Sequence, residues 1–138
     1  MRRLVVSLAF VIACGGKAPS APDNASLRFM PRAAELGSGE SVIAETGQGQ
    51  IAVRATLSGP DPCRTLDAEL DQTDREVTLR VFVRPSGAAV CVQVLGRFGY
   101  DALIEPLARG RYVLQVVHTY PSTGWSTTTV LRQTVDVR

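Results

Sequence analysis

The chain reads as all-β, a single antiparallel β-sandwich of about seven strands. Three observations predict it. Apolar and polar residues alternate with period two from Ser41 onward. Glycine- and proline-rich turn signals punctuate that alternation at short intervals. No stretch of the same region sustains an apolar stripe at helical spacing. The 138 residues suffice for one domain with a short appendage, and 45% hydrophobic against 20% charged residues permits a packed core.

Taken in order, the clearest first strand places Ile51, Val53, Ala55 and Leu57 on one face and Gln50, Arg54, Thr56 and Ser58 on the other. Ser58-Gly59-Pro60-Asp61-Pro62 then turns the chain. Leu66, Ala68 and Leu70 alternate with Asp67, Glu69 and Asp71, and a turn is expected over Asp71-Gln72-Thr73-Asp74. Val77, Leu79, Val81 and Val83 define the next buried face, ended by Pro85-Ser86-Gly87. Val90, Val92 and Val94 predict another strand, with Cys91 on the face opposite the valines. That requires either burial on both sides or a bulge. Strands over Tyr100–Glu105, Tyr112–Tyr120 and about Thr127–Val137 complete the set, separated by Arg109-Gly110 and Pro121-Ser122-Thr123-Gly124. Residues 40–138 form the domain; upstream, Leu27-Arg28-Phe29-Met30 admits a first edge strand that Pro31 would end.

The N-terminus is an address. Met1-Arg2-Arg3 is a cationic start, and Leu4 to Ala13 is an apolar run too short to span a bilayer core, which needs about 20 residues. The run ends in Val11-Ile12-Ala13-Cys14-Gly15-Gly16. This resembles the lipobox of bacterial lipoproteins. The resemblance implies a signal peptide over 1–13 and a Cys14 that takes a diacylglycerol on its sulfur and becomes the acylated N-terminus. Two or three acyl chains anchor a protein stably where one does not. Gly15 replaces the Asp that often retains such proteins at the inner membrane, so the resemblance favours the outer membrane. Residues 14–39 follow as lipidated Cys and linker; Gly15 to Ser26 carries two prolines and lacks aromatic and branched apolar residues.

With Cys14 assigned to lipid, Cys63 and Cys91 remain as an even pair in an exported domain, which favours a disulfide. Leu107-Ala108-Arg109-Gly110-Arg111-Tyr112-Val113-Leu114 resembles the L-x-P-G-x-Y turn-and-strand of immunoglobulin-like and prealbumin-like bacterial sandwich domains, with Arg109 in place of the proline. That resemblance implies a tight turn at Gly110 and a core-facing Tyr112. The cysteines are spaced too closely for the usual immunoglobulin bridge, and Trp125 does not lie between them. An immunoglobulin-like architecture is implied, not a true immunoglobulin domain.

Charge and motifs narrow the function. Net charge is +2, and removing Arg2 and Arg3 from the 15 basic residues balances them against the 13 acidic ones, so nucleic acid is excluded as a partner. Every basic residue but Lys17 is arginine. No G-x-S-x-G, P-loop or G-x-G-x-x-G is present, and the lone His118 has no partner motif for catalysis or metal binding. No cofactor or metal is called for. The acidic residues Asp67, Glu69, Asp71, Asp74 and Glu76 offer the oxygen ligands calcium uses, but without EF-hand spacing. His118, Tyr120 and Trp125 cluster around a polar loop and form the expected binding surface, since aromatics of this kind anchor protein or glycan partners. The expected function is therefore a membrane-anchored, non-catalytic interaction or structural module of the cell envelope. A ligand-, carbohydrate- or calcium-binding lipoprotein is the alternative, and an envelope enzyme is less favoured.

Overall fold

A computed structural model describes residues 24–35 and 37–138. The expected signal peptide, Cys14 and the first part of the linker lie outside the described residues. Eight strands follow in chain order: β1 (Ser26–Ala33), β2 (Ser41–Gly47), β3 (Gln50–Gly59), β4 (Arg64–Thr73), β5 (Glu76–Pro85), β6 (Gly96–Glu105), β7 (Gly110–Thr119) and β8 (Thr128–Val137). They form two four-stranded sheets, ordered β1-β6-β3-β2 and β4-β5-β7-β8. The two sheets stack face to face as a sandwich.

One rule accounts for the strand directions: each strand runs opposite to the one before it. Neighbours separated by an odd number of steps must then be antiparallel, as β1–β6, β2–β3, β3–β6, β4–β5 and β7–β8 are. Strands β5 and β7 are two steps apart, because the chain crosses to β6 in the facing sheet and returns. They pair in parallel, Glu76 opposite Val113 through Phe82 opposite Thr119. The second sheet is thus mixed, which corrects the expectation of a wholly antiparallel sandwich; the strands number eight, against about seven expected.

The alternating residues face each other across the sheets. Ile51, Val53, Ala55 and Leu57 of β3 meet Val77, Leu79, Val81 and Val83 of β5 in one buried cluster. Tyr100, Ala102 and Ile104 of β6 and Tyr112, Leu114 and Val116 of β7 complete its centre. Burying side chains of this size contributes roughly 1.5–3 kcal/mol each, so the core dominates the stability.

Tyr112 fixes the corner between β6 and β7. Its ring is in the core, its hydroxyl donates to the Ala108 carbonyl at 2.8 Å, and the Arg75 guanidinium lies 4.9 Å above the ring centre. Gly110 has φ +142°, and a Cβ there would press into the same arginine. These are the turn and core tyrosine that the sequence resemblance implied.

Two further expectations change. The Leu27–Met30 segment does form an edge strand, but β1 runs through Pro31 to Ala33. Proline is tolerated because β1 has a neighbour on one side only. The strand expected at Val90–Val94 is absent: residues 86–95 are an irregular loop, and Cys91 does not lie in a strand. The last rungs at this end are Arg64 opposite Pro85 and Gly59 opposite Gly96. Beyond them no strand remains to pair with, so the alternation has no face to bury. Val90, Val92, Val94 and Leu95 are all exposed. The Cys63–Cys91 disulfide ties this loop to the entry of β4.

Candidate functional site

The sandwich has two unlike ends. At one end, β1 begins, the β2–β3, β4–β5 and β6–β7 connections turn, and the chain ends. Backbone bonds close it: Gly49 N–H to Arg138 C=O and Leu107 N–H to Gly49 C=O, both 2.8 Å, and Arg138 N–H to Gly47 C=O at 3.1 Å. The other end collects the β1–β2, β3–β4, β5–β6 and β7–β8 connections, the disulfide and the apolar loop.

A cleft of about 500 Å³ opens at this second end, between the edge strands β2 and β8. His118 lies in its floor. It is 2% exposed, the last inward-facing residue of the β7 series Tyr112, Leu114, Val116. Its Nε2 lies 2.9 Å from the Tyr100 hydroxyl of β6, and the two rings meet edge-on. This bond joins the two sheets through the core. Burial pulls the imidazole down to about 4, partly offset by the negative charge of Glu40. The ring is therefore neutral at pH 7. Burial likewise raises the Tyr100 phenol, so it stays protonated.

Tyr120 and Trp125 form the lip, with ring centres 5.1 Å apart and planes at 60°. Thr123 positions both: its hydroxyl donates to Tyr120 C=O at 2.8 Å and accepts from Trp125 N–H at 3.0 Å. The apolar walls include Val42, Leu57 and Val130. Val130 is the extra residue of a bulge opposite Val116 and Val117, which bends the β8 edge at the rim. Glu40 supplies the cleft's carboxylate. It continues the β2–β3 ladder past Ser41, its Oε1 accepting the Ser58 N–H at 3.1 Å.

The structure thus brings His118, Tyr120 and Trp125 together as the sequence expected, but His118 is floor and not surface. Glu40 and Tyr100 were not anticipated. Glu40 sits in a Gly- and Ser-rich connection that reads as solvated loop, and Tyr100 comes from a strand whose position beside β7's partner sheet no local pattern reveals.

The acidic stretch does not assemble an ion site. Asp67, Glu69 and Asp71 alternate along the outer face of β4, and Asp67 is held by Arg84 at 2.8 Å. Among the described residues, the one metal-like group is Asp61, Cys63 and Cys91. Its two sulfurs are spent on the disulfide, and Asp61 is paired with Arg64, which holds its carboxyl below the usual range. Comparisons with known proteins bring no family model, no curated protein and no solved structure that matches this chain.

Proposed function

We propose that this chain is a lipid-anchored lipoprotein of the cell envelope, at the outer membrane in preference to the inner. Its immunoglobulin-like sandwich serves as a non-catalytic interaction module for an envelope protein or glycan. The observation that carries the reading is the polarity of the sandwich. A tether from Cys14 enters at Ser26, which pairs with Glu105 at the closed end. The exposed Val90–Leu95 loop, the disulfide and the aromatic cleft stand at the opposite end, about 33 Å away along ten-residue strands. An apolar loop pinned by a covalent bond and held away from its anchor is suited to meeting a partner, because exposed patches of this kind mark interaction sites. The tyrosine corner at Tyr112 supports the immunoglobulin-like assignment.

The test has two arms. Cys14→Ser should move the protein from the membrane to the soluble fraction; full membrane retention would overturn the anchor. A photo-crosslinker at Val92 should capture one dominant envelope partner in intact cells, whereas one at Gln48, at the closed end, should not. Equal capture from both positions would overturn the polarity argument.

A further inference from the structure

We infer that the cleft between β2 and β8 recognises an organic cation, an alkylammonium or guanidinium group, held between the Glu40 carboxylate and the rings of Tyr120 and Trp125. The inference deepens the reading of the loop end as the working surface by naming the chemistry it takes.

The first argument is charge. Arginines are spread over the surface of this protein, and several are ion-paired to carboxylates. None lines this cleft, and Glu40 forms no ion pair among the described residues. His118 brings no positive charge, because burial keeps it neutral. The cleft therefore carries one net negative charge, and that charge lies close enough to Tyr120 to help raise its phenol. An anion would find no cationic partner here.

The second argument is shape. Two aromatic planes meeting at 60° make a corner, not a flat platform. A sugar ring stacks on a flat face, whereas a compact cation gains from ring faces on two sides. Thr123 bonds to the backbone of both aromatic residues, so the loop that carries the rings is braced before a ligand arrives. Val42, Leu57 and Val130 accommodate the alkyl part of such a ligand. A bare metal ion fits poorly, since a hard cation wants six to eight oxygens and the cleft offers one carboxylate. Glu40 is also pre-positioned: the Ser58 amide holds one of its oxygens and leaves the other for the ligand.

Trp125 is the single tryptophan, so its fluorescence reports the site directly. The full-length chain in a non-ionic detergent is titrated with choline, with methylguanidine, and with 3,3-dimethylbutan-1-ol, the uncharged isostere of choline, at constant ionic strength. The expected result is a saturable change with at least one cation, at an affinity about tenfold or more above that of the alcohol. Glu40→Gln should weaken that binding about tenfold while keeping the melting temperature, because the amide oxygen can still accept the Ser58 N–H. Choline preference would point to a quaternary ammonium ligand, and methylguanidine preference to an arginine side chain; either supports the inference. No saturable change with either cation, equal binding of the alcohol, or unchanged binding in Glu40→Gln would overturn it. The titration contains no membrane and no partner protein, so its failure leaves the anchor and the partner to their own test.

Discussion

His118 is held neutral by what surrounds it. Tyr100 from β6 occupies Nε2, desolvation disfavours the imidazolium, and Glu40 at the cleft rim offsets only part of that penalty. The linkage consequence has a definite sign. In the unfolded chain the imidazole titrates near 6.5, but in the fold it resists protonation down to about 4. Between those values the unfolded state binds the extra proton, so stability falls as pH drops through this window. The full effect is on the order of 3 kcal/mol. Urea midpoints measured from pH 7 to pH 4 should therefore decline in the wild type from about pH 6.5 downward. In His118→Gln they should be flat until the carboxylates begin to titrate. Parallel declines in the two proteins would mean that the imidazole is protonated in the fold.

Among the elements, β3, β5 and β7 were legible because each has a facing layer that makes period-two alternation unavoidable. In β7, His118 shares parity with Tyr112, Leu114 and Val116 and is buried with them, although the loop beside it drew it into the expected binding surface. The same signal misled at Val90, Val92 and Val94, since alternation states what a strand would bury and not whether a neighbour exists to pair with it. The parallel pairing of β5 with β7 was illegible for a related reason: it follows from the chain crossing between sheets, which no single segment encodes. The Cys63–Cys91 bridge was legible by counting, yet its job differs from that of a bridge within a core. It spans 28 residues and fixes an exposed loop, so few packing contacts depend on it. Its contribution should arise chiefly from restricting the unfolded chain, about 3–4 kcal/mol for a loop of this length. Replacing both cysteines with alanine should lower the unfolding free energy by that amount, shift the urea midpoint down and raise the m-value, because a freed chain exposes more surface on unfolding. An unchanged midpoint would show that the unfolded chain is not constrained by the bridge.

At the scale of the whole molecule, stability and exposure are distributed along the strand axis. The apolar core runs between the sheets, and the end where β1 begins is sealed by backbone bonds among Gly47, Gly49, Leu107 and Arg138. The opposite end is covered by loops. There, Gly96 is packed so closely that a Cβ would collide with the Asp61 carbonyl, which locks the start of β6 under the disulfide loop. Residues 88–95, just beyond it, make no backbone hydrogen bond in a ladder. Amide exchange should divide accordingly. The amides of Gly49, Leu107 and Val113 should exchange with the slow core strands, since each donates a 2.8 Å backbone bond. Those of residues 88–95 should exchange at close to the rate of an open chain. The comparison is best run at two protein concentrations. Open exchange in the loop at both means the apolar residues stay free for a different partner, as an interaction module requires. Protection that grows with concentration means the valines are covered by a second copy of this chain, and the module's partner is itself.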